Sequence, residues 1–233
     1  MPILGICGDS YMAATINKDR SDLIDSEGKH FTEILSKKIG YDYFTLARGA
    51  CSNFAIRMQI DEMVRRKVDL VIVGWTSPDR IELPLPGKKF DPKLGVYNLD
   101  YNISDYPDRS ATNENFRHNI MTETLSNIFH HPNDFIGKIG KDKFTSLENF
   151  YDNLYDIAYK SILDNYIVES GFKKLTDSKI PFVFTGNGNF ENSKLNPWSW
   201  EKGTRRWHTT DEAQVSGAEI WYNYLQEHGY LSS

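Results

Sequence analysis

The chain has 233 residues, of which 39% are apolar and 25% are charged, as is usual for a globular protein. Its formal net charge is −5, so no basic excess points to nucleic acid as the main partner. No apolar run reaches the roughly 18 residues of a membrane-spanning helix. These properties leave a single large α/β domain, with or without a sizeable insertion, as the expected class.

The amino terminus and the cysteines indicate where the chain folds. The first apolar run is short and has no basic lead, which is not typical of a signal peptide. Cys7 and Cys51 have neither a disulfide-framework pattern nor a metal-ligand spacing. We therefore expect two free thiols and folding in the cytoplasm. Later release by lysis, or as part of a particle, is compatible with this expectation.

The first part of the chain alternates strands with helices. Strands are predicted over 3–7, 41–46 and 68–74, and helices over 29–38 and from Ser52 or Asn53 to about Lys67. Gly40 suits the end of the first helix. This order is typical of a parallel, doubly wound sheet with right-handed crossovers.

The alternation stops after the third strand. Prolines among Asn, Asp and Tyr predict an irregular insertion over 79–143, with a helix around 111–130, that could serve as a lid or partner surface. The last predicted elements are a long, broken helical region over 146–177, a strand over 180–185 and a helix over 210–228. The helical region carries an apolar stripe formed by Leu147, Phe150, Leu154, Ala158 and Ile162. Thr209 and Glu212 have the spacing of a capping box before the last helix.

Gly8-Asp9-Ser10 directly follows the first predicted strand. A serine just past the carboxyl end of a buried parallel strand lies where open α/β sheets bind ligands. Backbone N–H groups of the following segment would point at whatever it attacks. The tripeptide alone is more often a simple turn or helix cap, so the nucleophile hypothesis depends on the rest of the chain.

A serine nucleophile needs a base, and histidine is the usual one. Of the six histidines, His208 alone follows the last predicted strand and precedes a helix start, where it could reach back to Ser10. The alternative is a surface or capping histidine. Cys51 is a weaker candidate nucleophile, because no histidine lies near it in sequence.

Four motifs in this order resemble the SGNH/GDSL hydrolase superfamily of esterases, lipases and acyl-polysaccharide deacetylases. The matching residues are Gly8-Asp9-Ser10, Gly49 within Gly49-Ala50-Cys51-Ser52-Asn53, Gly74 at the end of Val71-Ile72-Val73-Gly74, and His208 before the last helix. The pieces cover most of the chain except the insertion. With the alternation described above, the resemblance implies a three-layer α/β/α sandwich over residues 1–233. Its sheet would be mostly parallel and flavodoxin-like in order, with a large insertion after the third strand.

The resemblance also implies acyl-ester chemistry that needs no cofactor and no metal. Ser10 would attack a carbonyl carbon, and His208 would take and return its proton. The oxyanion would be held by N–H groups of Ser10 and Gly49 together with a side-chain amide.

Two positions depart from the family pattern. Thr76 stands where the family has an oxyanion-hole asparagine, and Asn53 could supply the missing amide or simply cap the helix that begins there. Arg205 stands where the family has its acidic residue. Asp211 could orient the imidazole of His208, although we favour a simple first-turn acid that suits the helix dipole. A Ser-His dyad, with a backbone carbonyl orienting the ring, is a further option.

Residues in the predicted loops are candidates for substrate binding. Asp9 is expected mainly to hold its turn, and Arg80 to bind an acidic group of the substrate or, more simply, to pair with a carboxylate. Thr76 lies in the same predicted loop. Loop tryptophans could stack on sugar rings or anchor the loops by packing, and these are Trp75, Trp198, Trp200 and Trp207.

The leading hypothesis is a serine esterase or deacylase that hydrolyses a small or carbohydrate-borne acyl ester through an acyl-enzyme on Ser10. One alternative is a decayed hydrolase whose site only binds a glycan or a protein. Another is acyl transfer to an acceptor other than water. Reactivity of Ser10 separates the binding module from the two enzymes, and analysis of the products separates the enzymes from each other.

Overall fold

A four-stranded parallel sheet lies at the centre of the molecule. The computed structural model describes residues 1–13, 29–47, 51–84, 90–91, 96–97, 120–186, 195, 204–205 and 208–231. The strands are β1 (Ile3–Cys7), β2 (Asp42–Thr45), β3 (Leu70–Trp75), β4 (Arg80–Pro84), β5 (Phe90–Asp91), β6 (Val96–Tyr97), β7 (Ile120–Thr124), β8 (Phe182–Gly186), β9 (Thr204–Arg205) and β10 (His208–Thr209). The helices are α1 (Phe31–Ile39), α2 (Asn53–Arg66), α3 (Leu125–His130), α4 (Pro132–Ile139), α5 (Lys141–Leu154), α6 (Ile157–Asp177) and α7 (Asp211–Glu227).

The sheet has the order β2-β1-β3-β8, and all its pairs are parallel. Cys7 at the end of β1 is level with Val73 of β3, so β3 extends two residues beyond the end of β1. Every residue of β3 is buried, as expected for a central strand covered on both faces. The predicted α/β/α fold with a flavodoxin-like strand order is confirmed.

Helices cover both faces of the sheet. On one face α1 and α7 pack together over Leu70 and Ile72 of β3. On the other face α2 and α6 pack together over Val71 and Val73. Alternate residues of a strand point to opposite faces, which is how one apolar strand supplies both cores.

Helix ends follow the predicted signals closely. Gly40 ends α1 with a φ of +71°, a left-handed conformation that glycine adopts readily. The Ser52 hydroxyl accepts the Ala55 N–H at 3.2 Å and caps α2. The cap of α7 is Thr210, whose hydroxyl accepts the Ala213 N–H at 3.3 Å. The capping box predicted from Thr209 and Glu212 is therefore wrong, because the cap lies one residue later and Ala213, three residues after it, has no polar side chain to complete a box.

The described part of the predicted insertion forms a small unit beside the sheet. β4 pairs with β7 in antiparallel fashion, and a separate apolar cluster contains Ile81, Ile128, Phe135 and Phe144. The helix predicted over 111–130 is wrong for 120–124, where β-branched residues at 120, 122 and 124 favour a strand, and the residues before 120 lie outside the described part. The predicted boundary at 143 falls inside α5.

The helical region after the insertion is broken, as predicted, at residues 155–156 between α5 and α6. The break redirects the chain, so the apolar stripe predicted along it does not face one core. Phe150 is 46% exposed, Leu154 76% and Ile162 52%. Among the helices that the structure describes, none is both long enough and apolar enough to cross a membrane.

Candidate active site

Ser10 lies in a turn that begins directly after β1. The Met12 N–H donates to the Asp9 carbonyl at 3.1 Å, which closes the turn around the half-buried Ser10. Gly8 enters the turn with a φ of +153°, a conformation that L side chains rarely adopt. The serine therefore stands past the carboxyl end of a buried central strand, as the sequence predicted.

Two glycines make room for the methionine that anchors this turn. Met12 is 1% exposed. A Cβ atom on Gly8 or on Gly74 of β3 would come within 2.4 Å of its Cγ. Gly74, recognised in the sequence as a motif position, thus lies directly against the methionine of the turn that contains Ser10.

Asp9 joins the turn to β3 and to the start of the insertion. Its Oδ1 accepts the Tyr11 N–H at 2.9 Å, and its Oδ2 accepts the Thr76 hydroxyl at 2.9 Å. The same Oδ2 lies 3.1 Å from Nη2 of Arg80. Asp9 is 4% exposed, so it holds the turn as predicted, and Arg80 takes the carboxylate-pairing alternative.

Gln59 of α2 holds the peptide groups on both sides of Gly8. Its Oε1 accepts the Gly8 N–H at 2.7 Å, and its Nε2 donates to the Gly8 carbonyl at 3.3 Å. The same Nε2 lies 3.3 Å from Sγ of Cys51. One buried amide therefore ties the end of β1 to the loop that follows β2.

Asn53, at the first turn of α2, holds the backbone N–H and carbonyl of Thr76, the residue that directly follows β3. Its Oδ1 accepts the Thr76 N–H at 2.9 Å, and its Nδ2 donates to the Thr76 carbonyl at 3.0 Å. Nδ2 also donates to Oδ2 of Asp164 at 2.8 Å, and Lys160 pairs with the other oxygen of Asp164 at 2.5 Å. Both amide hydrogens of Asn53 are engaged, so it would have to exchange one of these partners to reach an oxyanion.

The other helical layer supports the far side of the turn. Nε2 of His30 lies 3.1 Å from the Tyr11 carbonyl, and its Nδ1 lies 2.7 Å from the Thr32 hydroxyl. Burial, and secondarily the charge of Asp9, raise the pKa of Tyr11, while Arg80 opposes the shift. The phenol beside Ser10 therefore stays protonated at neutral pH.

Both cysteines are free and buried, in agreement with the predicted thiols. Burial, and then the proximity of Cys51, raise the pKa of Cys7 well above its ordinary value. Cys51 has no exposed surface, so a substrate has no access to its sulfur.

The structure brings Ser10, Asp9, Thr76, Asn53 and Arg80 together at one edge of the sheet.

The prediction that Trp75 contacts substrate is wrong. It ends β3 with 3% exposure, and its ring meets Phe172 edge-on at 5.9 Å. β3 extends one residue beyond its predicted end, so Trp75 belongs to the strand and its side chain points into the core.

The second half of the predicted site is described in part. Backbone pairing joins His208 of β10 to Arg205 of β9. Asp211 is in the first turn of α7, where its carboxylate lies 3.0 Å from Nζ of Lys29. Gly49 and Trp207, with Trp198 and Trp200, lie outside the described residues.

Two buried polar residues of this edge, Gln59 and Asp164, and the half-buried Lys160 were not found from the sequence. A signal for Gln59 exists, because it falls within the apolar stripe of α2 beside Ile56 and Ile60. A polar residue at a core position needs a buried partner. Asp164 is likewise a carboxylate on the buried face of α6.

No protein-family model and no curated protein matches the sequence. Among solved structures, the chain is similar to the acetyl xylan esterase Est2A from the rumen bacterium Butyrivibrio proteoclasticus, with 12% identity and a TM-score of 0.44, over 100% of this chain and 65% of that one. It is also similar to a family two carbohydrate esterase from Clostridium thermocellum in complex with cellohexaose, with 10% identity and a TM-score of 0.40, over 99% and 65% of the two chains. A protein assigned to the G-D-S-L lipolytic family from Desulfitobacterium hafniense DCB-2 has 10% identity and a TM-score of 0.35, over 96% and 99%.

The chain spans about 65% of the length of the two carbohydrate-active esterases. At 12% identity or less, the likenesses do not decide the activity, which has to follow from the residues of the site itself.

Proposed function

We propose that the protein is a serine esterase or deacylase that forms an acyl-enzyme on Ser10. The observation that supports this best is the construction of the turn around Ser10. The N–H and the carbonyl of Gly8 both bond to the buried amide of Gln59, and the N–H and the carbonyl of Thr76 both bond to the buried amide of Asn53. Such preorganisation of backbone groups at the carboxyl edge of a sheet is what oxyanion stabilisation requires.

In the proposed reaction, the Ser10 hydroxyl adds to the ester carbonyl while His208 takes its proton. The tetrahedral intermediate then expels the alcohol, which receives that proton from His208. Water, activated by the same imidazole, cleaves the acyl-enzyme and releases the acid. The backbone N–H groups of Ser10 and Gly49 are the proposed oxyanion donors. Asn53 would contribute only after release of one of its present acceptors.

The ion pair between Asp9 and Arg80 suits this chemistry. A carboxylate next to the nucleophile would repel a developing oxyanion in a site of low dielectric constant. The guanidinium at 3.1 Å from Oδ2, together with the Thr76 hydroxyl, compensates that charge. Asp9 can therefore hold the turn without opposing the reaction.

Either of two groups could orient the imidazole of His208. Asp211 is the candidate acid, although the sequence favours a simple first-turn role for it, and its carboxylate would have to leave Lys29, an exposed partner that contributes little to stability. A backbone carbonyl would give a Ser-His dyad instead. Asp211→Asn separates these options, because only a triad loses most of its turnover.

Labelling by a fluorophosphonate tests the proposal. The Ser10 oxygen would displace fluoride, and intact-mass analysis would detect one adduct. We expect the adduct on the natural chain and on Ser77→Ala, a matched control at the end of the neighbouring strand, but not on Ser10→Ala or His208→Ala. A folded chain that stays unlabelled would contradict the proposal and favour the binding-module alternative.

Substrate assays follow a positive result. A small acetyl ester and an acetylated xylo-oligosaccharide cover the two predicted substrate classes. Release of free acetate indicates hydrolysis. Disappearance of the ester without equivalent free acid indicates acyl transfer instead.

A further inference from the structure

Two polar atoms on consecutive residues, where the insertion leaves the sheet, are buried without a hydrogen-bond partner among the described residues. They are Oδ1 of Asp79, an acceptor, and Nε of Arg80, a donor. A buried donor or acceptor that stays unpaired lowers the stability of the fold, so such a pair calls for an explanation. A bound group that donates to Asp79 and accepts from Arg80 would satisfy both atoms.

Arg80 connects this pair to the turn that contains Ser10. It is the first residue of β4, and Nη2 of its guanidinium lies 3.1 Å from Oδ2 of Asp9, the residue before Ser10. Ile81, the next residue of β4, packs in the apolar cluster of the insertion. Because successive strand residues point to opposite sides, Arg80 faces the nucleophile turn while Ile81 faces the insertion. A group bound to Nε would therefore lie beside the ester that Ser10 is proposed to attack.

An exposed aromatic ring lies on the insertion side of the same loop. Phe150 of α5 is 46% exposed and meets Tyr155 at a steep angle, with 6.2 Å between the ring centroids. The Tyr155 hydroxyl lies 3.5 Å from the carbonyl oxygen of Pro78, the residue before Asp79. Among the described rings, none lies parallel to Phe150. A flat apolar surface is thus available near Asp79.

We propose that Asp79, Arg80 and Phe150 form a subsite for the sugar portion of a carbohydrate-borne ester. Each sugar hydroxyl both donates and accepts, so neighbouring hydroxyls can donate to Oδ1 of Asp79 and accept from Nε of Arg80. The apolar face of a further sugar ring would lie on Phe150, in the usual combination of an aromatic surface with a few placed polar groups.

The two buried atoms also discriminate against other substrate classes. An anionic group would bind Arg80 but would be repelled by the Asp79 carboxylate. An alkyl chain would leave both atoms unpaired. This inference rests on the proposed esterase function and deepens it, because it selects the carbohydrate-borne ester from the two predicted substrate classes.

Kinetics with two esters test the role of Asp79. The acetylated xylo-oligosaccharide carries free hydroxyls, whereas 4-nitrophenyl acetate carries none. Asp79→Ala should lower the ratio of kcat/KM for the sugar ester to kcat/KM for the small ester about tenfold, as expected for one net hydrogen bond. Asp79→Asn keeps an acceptor oxygen and should lose less. Asp177→Ala, at the exposed end of α6, is the matched control and should leave the ratio unchanged. An equal loss with both esters would indicate a structural role for Asp79 and overturn the proposal.

The same ratio tests the aromatic surface. Phe150→Ala should lower it by about threefold, in the range measured for contacts between rings. Tyr166→Ala is the control, because it removes a side chain that is 66% exposed on the outward face of α6. Equal ratios in the two variants would exclude Phe150 from the subsite.

Binding to a chain that cannot turn over separates this proposal from the esterase proposal. Calorimetry on Ser10→Ala should detect an unsubstituted xylo-oligosaccharide, and addition of Asp79→Ala should weaken that binding about tenfold. Binding that depends on Asp79, in a chain whose natural form resists fluorophosphonate, would support the subsite and contradict the esterase. A labelled Ser10, with neither binding nor kinetic ratio dependent on Asp79, would support the esterase and overturn the subsite.

Discussion

The two helical layers that cover the sheet treat its carboxyl edge differently. From the α2/α6 layer, Gln59 and Asn53 hold the peptide groups of Gly8 and Thr76, and Asp164 holds Asn53 in turn. The α1/α7 layer is mainly an apolar core. The difference shows that a helix starting directly behind a strand-end loop can bring side-chain amides to two neighbouring strand ends at once.

The α1/α7 layer contacts the turn through the apolar packing of Met12 and, among the described polar groups, through His30. His30 caps α1 and contacts the Tyr11 carbonyl, while Gln214 of α7 accepts the Phe31 N–H at 2.8 Å. Its large buried side chains, such as Phe31 and Trp221, stack on each other at 6.1 Å. We therefore expect changes in the α2/α6 layer to lower stability and reactivity together, and changes in the α1/α7 layer to lower stability alone.

The largest effect is expected from Lys160→Met in the α2/α6 layer. It leaves Asp164, which is 3% exposed, as a buried charge without its partner, which typically costs about 3–5 kcal/mol of unfolding free energy. The urea concentration at the midpoint of unfolding should fall, and so should the rate of fluorophosphonate labelling. Addition of Asp164→Asn removes the uncompensated charge and should recover part of both quantities. A variant with lower stability but normal labelling would break the distinction between the layers.

The reverse case is Leu225→Ala in the α1/α7 layer. This side chain is fully buried beneath the sheet, and its truncation should cost about 2–5 kcal/mol of unfolding free energy. Labelling of Ser10, measured well below the unfolding transition, should keep the rate of the natural chain. A large drop in that rate would show that this layer also sets the geometry of the turn.

A matched pair of buried glutamines sharpens the comparison. Gln59→Met removes the bonds to Gly8, and Gln214→Met removes the bond to Phe31; each should cost about 1–3 kcal/mol, because a buried backbone group loses its partner. Only Gln59→Met should also slow labelling. Gln59→Glu keeps the acceptor for the Gly8 N–H and should restore part of the rate. Equal labelling rates in Gln59→Met and Gln214→Met would contradict a specific role for α2.

The sequence predicts the sheet more completely than it predicts the site. The strand predicted over 68–74, which the structure has at 70–75, follows from local rules, and so do the glycine at 40 and a helix cap at 52 or 53, which the structure has at 52. The roles of Gln59 and Asp164 depend on which distant peptide group lies opposite each of them. Local patterns do not contain that information. Trp75 was predicted to lie in a loop, but β3 continues through it and places its side chain in the core between the sheet and the α2/α6 layer.

Alkaline pH should give the smallest effect, and one that separates the α1/α7 layer from the turn that contains Ser10. Burial raises the pKa of both Tyr11 and Tyr43, so the unfolded chain loses these protons first as the pH rises above about 10. Above that pH the folded chain binds more protons than the unfolded one, and its stability must fall. Tyr43→Phe, next to Thr32 in the α1/α7 layer, should reduce the slope of unfolding free energy against pH and leave labelling at pH 8 unchanged. Tyr11→Phe should reduce the slope similarly but alter labelling, because Tyr11 adjoins Ser10 in the same turn. A slope that neither change reduces would mean that other groups dominate alkaline unfolding.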